Sequence, residues 1–292
     1  MNFHYQRSYR GPVQAVIFDW AGTTVDFGSL APVAAFTRLF AAQGIDLGLD
    51  EARGPMGAEK REHIRQLCAL PRIAAAWRNR YGESPDEATI DRLYREFVPL
   101  QVTAIRDSAQ LIPRCREVVA ALRGRGIRIG ANTGYSREML ETLAQAAADQ
   151  GYRPDSSACA TEVPRGRPFP HMSLKNAIEL EVETLHACVK VDDTAPGIEE
   201  GLNAGMWTIA VAVSGNEVGL ALDDWEALTP AERDQDHIRT LVDINPQVPD
   251  RNDPLNKPGP VLAEMAGALR GADGDVAHLD RVEQRVVSRQ DG

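Results

Sequence analysis

The chain has 292 residues, 43% of them hydrophobic and 25% charged, which accommodates one large domain or two modest ones and a core that needs no disulfide staples. Its 42 acidic residues outweigh 32 basic ones for a net charge of -10, which argues against a nucleic-acid binder, whose partner demands a basic face. No run reaches the roughly 18 apolar residues of a membrane span, Met1 to Arg10 lacks the apolar core of a secretion signal, and Cys68, Cys115, Cys159 and Cys188 form no CxxC pair, so a cytoplasmic protein with reduced thiols and no zinc site is expected.

Val13 to Phe18 is a short apolar run rich in β-branched residues that breaks at Asp19 and the string Trp20-Ala21-Gly22-Thr23-Thr24. This is the pattern of a buried parallel strand entering a loop. From about Ala31 to Arg106 the periodicity is helical, with no strand-like interruption: Pro32 to Ala42, Glu59 to Leu70, Ile73 to Tyr81 and Asp86 to Phe97. Gly44 and Pro71 mark breaks, and Ser84-Pro85-Asp86 reads as a helix start. Alternation then returns. Strands are expected over Gly126 to Ala131, Ser157 to Thr161, Cys188 to Val191 and Met206 to Val213. Helices are expected over Arg114 to Arg123, Ser136 to Asp149, Met172 to Leu180 and Pro196 to Ala204. Repeated strand, loop and helix predict an α/β fold: a doubly wound, Rossmann-like parallel sheet with helices on both faces, and the helical block inserted after the first strand. From about Asp234 the chain is polar and dotted with proline, a composition that predicts disorder or a loosely attached extension, apart from a candidate helix at Val261 to Leu269.

In open α/β sheets ligands bind beyond the carboxyl ends of the strands. Parallel pairing would gather four loops there: Asp19, Thr133-Gly134, Arg167 and Asp192-Asp193. Paired carboxylates suit Mg2+. Arginine and threonine grip phosphoryl oxygens, and an aspartate can attack phosphorus to form an acyl phosphate. Lysine supplies only four of the 32 basic residues (Lys60, Lys175, Lys190 and Lys257). Coding bias produces such an excess of arginine, but a retained lysine also points to chemistry a guanidinium cannot do, such as Schiff-base formation.

The string Phe18-Asp19-Trp20-Ala21-Gly22-Thr23-Thr24-Val25-Asp26 resembles the first motif of the haloacid dehalogenase superfamily. Ala131-Asn132-Thr133-Gly134-Tyr135 resembles its second, Arg167 its third and Val191-Asp192-Asp193-Thr194 its fourth. Within that superfamily the chain resembles the phosphonoacetaldehyde hydrolase (phosphonatase) family. The likeness runs over about residues 13–230 and includes Arg53-Gly54-Pro55-Met56-Gly57-Ala58-Glu59-Lys60-Arg61-Glu62-His63, Gly166-Arg167-Pro168 and Gly201 to Thr208. It implies a catalytic core over 13–28 and 106–232, a helical cap over 29–105, and an atypical tail over 233–292, because relatives continue past Leu228 to Arg233 with a strand and closing helix that this tail lacks.

The resemblance implies roles as well. Asp19 is the nucleophile and, with Asp193 and the backbone carbonyl of Ala21, a ligand of Mg2+; Asp192 is the other candidate ligand. Thr133, Gly134 and Arg167 bind the phosphoryl group, and Met56 and Tyr135 line the site. Lys60 forms an imine with the substrate aldehyde, and His63, three residues on and on the same helix face, moves protons. A lysine on an amphipathic helix is most often a solvated surface residue; the surrounding string is what singles out Lys60. Superfamily phosphatases carry an acid two residues after the nucleophile to protonate a leaving alkoxide. Ala21 stands at that position, which disfavours the alternative of a phosphatase or phosphomutase acting on phosphate esters; a catalytically impaired relative with an altered C-terminus is the other alternative. Some relatives carry a second acid four residues after the metal aspartate, where this chain has Gly197; Asp192, Glu199, Glu200 or a water could compensate. A small phosphonate as the only ligand besides the metal, no nucleic-acid or membrane partner, and a homodimer through the cap complete the expectation.

Overall fold

The computed structural model describes residues 11–211, 213–229 and 232–233. The expected tail beyond Arg233, with its candidate helix and with His237 and His278, lies outside the described residues. Five strands form one parallel sheet in the order β3-β2-β1-β4-β5: β1 Ala15–Asp19, β2 Arg128–Thr133, β3 Ser156–Cys159, β4 Cys188–Asp192 and β5 Trp207–Ala210. The doubly wound fold expected from the alternation is the one observed. Strands alternate their side chains between two faces, and both faces are covered. Val16, Phe18, Ile129, Ala131, Val189 and Val191 point into the larger core. Ala15, Ile17 and Cys188 point the other way, against Ala177, Leu180, Ala204 and Met206. Burying each Leu, Ile or Phe side chain of these layers contributes about 1.5–3 kcal/mol. Among the described residues, β5 is an edge strand and is only partly buried.

After β1 come the helices of the inserted layer: α1 Leu30–Ala42, α2 Leu49–Arg53, α3 Lys60–Ala69, α4 Pro71–Tyr81 and α5 Glu87–Ser108. They pack mainly on one another, α1 and α3 against α5. The sheet layer carries α6 Cys115–Arg123, α7 Arg137–Asp149, α8 His171–Glu179 and α9 Ala195–Asn203, and the short α10 Leu222–Ala227, with no buried residue, follows β5. No helix of the described residues is long and apolar enough to cross a membrane.

Two elements depart from the sequence pattern. Periodicity predicts a helix ending near Phe97, since Pro99 removes an amide and crowds the preceding turn. Instead α5 continues through Pro99 to Ser108, because Gln101, Ala104 and Ile105 are buried beyond it. The short helix α2 carries too few residues to show a period.

The two chain crossings that join the inserted helices to the sheet lie side by side. Val25 bridges Leu111, the Asp26 amide donates to the Gln110 carbonyl at 3.0 Å, and the Ile112 amide donates to the Thr24 carbonyl at 2.9 Å. The Asp26 carboxylate accepts from the Leu30 and Ala31 amides at 3.0 Å each, which satisfies the first orphan donors of α1. Burial pushes this carboxyl up to about 6.

Candidate active site

Parallel register brings the predicted loops together. Asp19 pairs with Asn132 across β1 and β2, and Phe18 with Val191 across β1 and β4, so Asp19, Thr133, Asp192 and Asp193 emerge at one end of the sheet. Arg167 reaches the same point from the loop after β3. Its terminal nitrogen donates to Asp19 Oδ1 at 2.5 Å, to Asn132 Oδ1 at 2.7 Å and to the Asn132 carbonyl at 3.1 Å. It also lies 3.2 Å from Asp192 Oδ2, and its Nε donates to Glu200 Oε2 at 3.0 Å. Burial works against its charge, but Asp19, Asp192 and Glu200 more than offset this and hold the guanidinium charged. Lys190, inside β4, places Nζ 2.8 Å from Asn132 Oδ1 and 2.9 Å from Asp192 Oδ2.

Burial raises the Asp19 carboxyl above the usual range; Arg167 opposes the rise and Asp192 adds to it. In Asp192 the effect of burial is outweighed by Arg167 and Lys190, and its carboxyl is lowered. Asp193 accepts from the Asn216 amide at 2.8 Å, Thr23 Oγ1 at 3.1 Å and Ser29 Oγ at 3.3 Å. No basic side chain of the described residues forms an ion pair with it, and burial together with Asp19 and Asp192 raises its carboxyl well above normal. Oxygens of Asp19, Asp192 and Asp193 lie within 4.8 Å of one another. Three buried oxygen donors, one without a cationic partner, suit a hard divalent cation. Ala21, two residues past Asp19, has no side-chain donor and could offer only its carbonyl.

The inserted helices contribute the other half. Glu59 caps α3, its carboxylate accepting from the Arg61 and Glu62 amides at 2.9 Å each. Lys60, the first residue of that helix, is buried. Its Nζ lies 3.9 Å from Met56 Sδ and 5.3 and 5.8 Å from the ring centroids of Tyr135 and Phe36. Burial pulls the ammonium down to about 8, with the charge of Asp19 the largest opposing influence. Phe36 stacks on Phe97 at 4.3 Å and on the His63 ring at 3.9 Å. His63 Nε2 is 3.0 Å from the Ala52 carbonyl. A carbonyl only accepts, so that nitrogen carries the proton and Nδ1 is left as a buried acceptor without a hydrogen-bond partner. Burial first, and then Lys60, lowers His63 well below the normal range, so the ring is neutral.

These helices are seated directly on the sheet. A Cβ on Gly134 would fall 2.6 Å from the Ala58 carbonyl oxygen, and one on Gly57 would fall 2.4 Å from Thr194 Oγ1. Arg53 of α2 donates to the Gly28 and Gly219 carbonyls at 2.9 Å and to the Asn216 carbonyl at 3.3 Å. Thus one arginine ties the helical layer to the loop whose amide holds Asp193.

The structure brings Asp19, Thr133, Gly134, Arg167 and Asp193 to one centre and places Lys60, Met56, Tyr135 and His63 in one pocket. Trp20 is core, edge-on to Tyr152 at 5.3 Å. Sequence reasoning missed Phe36 and Asn216, and it gave Arg53, the first residue of the string around Lys60, no role. It also passed over Lys190, although a charge within the run Val189-Lys190-Val191 is a signal that can be read.

A sheet of this order with carboxylates at its switch point and a helical insertion after β1 defines a haloacid dehalogenase-like hydrolase, and the model of that family matches residues 13–205. The chain is 61% identical to the phosphonoacetaldehyde hydrolase of Hahella chejuensis over 233 residues, 80% of this chain and 79% of that one. It is 50% identical to the enzyme of the same name from Syntrophobacter fumaroxidans over 230 residues, 79% and 83% of the two chains. A crystal structure of a phosphonoacetaldehyde hydrolase-like protein from Oleispira antarctica superimposes with a TM-score of 0.77 at 45% identity, covering 97% of this chain and 96% of that one. β-Phosphoglucomutase from Clostridium difficile aligns with a TM-score of 0.55 at 22% identity over 68% and 84% of the two chains, a likeness of fold alone. The chain belongs to the phosphonoacetaldehyde hydrolase family of haloacid dehalogenase-like hydrolases.

Proposed function

We propose that this enzyme hydrolyses the P–C bond of phosphonoacetaldehyde to acetaldehyde and phosphate. The observation that carries the reading is Lys60: a buried amine, pulled down to about 8 and lined by Met56, Tyr135 and Phe36, in a layer seated on the Asp19 carboxylate centre. The names of the relatives supply the substrate.

The neutral Lys60 amine adds to the aldehyde carbon, one proton is taken up and water departs, leaving an iminium. Asp19 attacks phosphorus while the P–C electron pair moves into the iminium, giving an enamine on Lys60 and an aspartyl phosphate on Asp19. Water cleaves the acyl phosphate to phosphate and free Asp19. The enamine takes a proton on carbon, and hydrolysis of the resulting iminium releases acetaldehyde and Lys60. Arg167, Thr133 and Gly134 orient the phosphoryl oxygens, and neutral His63 offers Nδ1 as a proton acceptor during imine formation. Mg2+, held by Asp19, Asp193 and the Ala21 carbonyl, would supply positive charge against the phosphoryl oxygens. The poor carbanion leaving group is avoided because nitrogen receives its electrons, and no acid is needed at Ala21. The family resemblance also supports a cytoplasmic enzyme paired through its helical cap, where Leu49 and Tyr81 stand exposed.

The test is acetaldehyde release from phosphonoacetaldehyde with and without Mg2+, together with borohydride reduction in the presence of substrate. The reading expects Mg2+-dependent release and a reduced adduct on the Lys60 peptide. Folded wild-type protein that releases no acetaldehyde, or an adduct on another lysine, would overturn it.

A further inference from the structure

The buried row of α5 is apolar except at one position. Ile90, Leu93, Phe97, Ala104 and Ile105 are hydrophobic, and Gln101 among them is fully buried. Burying a side-chain amide costs free energy unless its oxygen and its nitrogen are both hydrogen-bonded. Here only the nitrogen is. Gln101 Nε2 donates to the Tyr135 hydroxyl oxygen at 3.2 Å, and Gln101 Oε1 is buried with no partner among the described residues. Leucine or methionine would fill a similar volume without that cost. Packing alone therefore does not account for a glutamine here.

The bond ends in the Lys60 pocket. Gln101 follows Phe97 by four residues and shares its helix face. Phe97 stacks on Phe36, and Phe36 and Tyr135 are the two rings beside Lys60 Nζ. The backbone of Tyr135 belongs to the sheet layer: its amide donates to Thr133 Oγ1 at 3.2 Å, and its carbonyl accepts from the Ala160 amide at 3.2 Å. Its phenol oxygen, in contrast, is met by a side chain of the inserted layer. An amide N–H only donates, so that oxygen accepts. The phenol's own proton has no acceptor among the described residues. Burial, and after it the charges of Asp26, Asp19 and Asp193, raise the phenol well above its normal range, so the proton stays on oxygen. Tyr135 is thus a held donor with an unspent proton beside the amine.

We propose that Gln101 is a positioning residue for imine formation: by engaging the Tyr135 oxygen, its amide turns the phenol proton toward the aldehyde oxygen of the substrate. As the Lys60 amine adds, the C–N bond forms and the carbonyl electron pair moves onto that oxygen, where the Tyr135 hydrogen bond meets the developing charge. The proton shed by nitrogen leaves through His63. Because the bond joins the two layers, the donor is aimed only while the inserted helices sit on the sheet. The inference rests on the reading that Lys60 condenses with an aldehyde.

The test uses the full chain and acetaldehyde, which can condense with Lys60 without any chemistry at phosphorus. Borohydride added at increasing delays gives the rate of adduct formation on the Lys60 peptide. Gln101→Met keeps the length of the side chain and removes the donor. It should melt within about 3 °C of wild type and form the adduct about tenfold more slowly. Tyr135→Phe should slow the adduct by about 100-fold. Added to Tyr135→Phe, Gln101→Met should cost less than about twofold more, because the amide acts only through the hydroxyl. The Kd for inorganic phosphate in the presence of Mg2+ should stay at the wild-type value in Gln101→Met, whereas a displaced helical layer would weaken it. Gln101→Leu replaces the methionine variant if that one does not fold. Unchanged or faster adduct formation in the folded variant overturns the inference. So does a loss of the same size in the Tyr135→Phe background, a parallel loss of phosphate affinity, or failure of both apolar variants to fold, which would make the amide a structural requirement. Wild type that forms no adduct on Lys60 overturns the imine reading as well, whereas a wild-type adduct with an unslowed Gln101→Met overturns this inference alone.

Discussion

The pockets of Lys60 and Asp19 are both closed to water, yet they are unbalanced in opposite senses. Around Lys60 the contacts are sulfur and aromatic rings, so the more distant charge of Asp19 offsets desolvation only in part and the amine is driven toward its neutral form. Around Asp19 stand four acids, Asp19, Asp192, Asp193 and Glu200, against the two cations Arg167 and Lys190. One pocket lacks an anion and the other lacks a cation. A buried group's protonation is decided by the partners it is given, since burial penalises the charged form in both cases. Imine formation needs the first imbalance, and a metal-assisted attack on phosphorus needs the second.

The largest break in this comparison comes from removing either reacting group. Lys60→Arg keeps the charge but cannot condense with an aldehyde, and Asp19→Asn keeps the shape but cannot form the acyl phosphate. Each should lower acetaldehyde release by about 10^4-fold or more, measured by coupled assay on protein checked for its native melting temperature. Restored balance should have a smaller effect. With Lys60 near 8, the neutral amine grows from about a tenth of the population at pH 7 to most of it at pH 9. The rate of borohydride trapping should therefore rise about tenfold over that interval. Met56→Glu places a carboxylate beside Nζ, favours the ammonium, and should move the rising limb about 1–2 pH units higher; an unmoved limb would show that another group governs it.

Arg53→Ala leaves both pockets intact but unties the helical layer from the loop that holds Asp193. It should lower kcat/KM by about tenfold, mostly through KM, because the two halves are no longer held in register. At the low end, Ser136→Ala removes the hydroxyl that accepts from the Met139 amide at 3.5 Å at the start of α7. It should cost about 0.5–1 kcal/mol in chemical denaturation and leave activity unchanged, which separates scaffold from site.

The strands and the carboxylate centre were legible because buried parallel strands read as β-branched runs and their ends are marked by polar loops. Lys60 was legible through the string around it. Phe36 and the role of Arg53 were not, because their importance lies in what stands opposite them across the interface, and nothing local distinguishes Phe36 from any other apolar residue of an amphipathic helix. The continuation of α5 past Pro99 was likewise hidden, since burial of Gln101 and Ile105 is a tertiary effect that overrides a local rule. Asp192 was legible as a candidate ligand beside Asp193, whereas its close contact with Gly197 was not, because that packing is a tertiary effect.

The paired crossings at Val25 and Leu111 give the proposed chemistry a further property. Two hydrogen-bonded crossings act as one short, stiff tether, and a tether turns an encounter into an intramolecular event with a high effective concentration. A substrate joined to Lys60 becomes part of the arm that carries it. In the proposed reaction its phosphorus then meets Asp19 without release from the protein, and free diffusion enters only once, at capture.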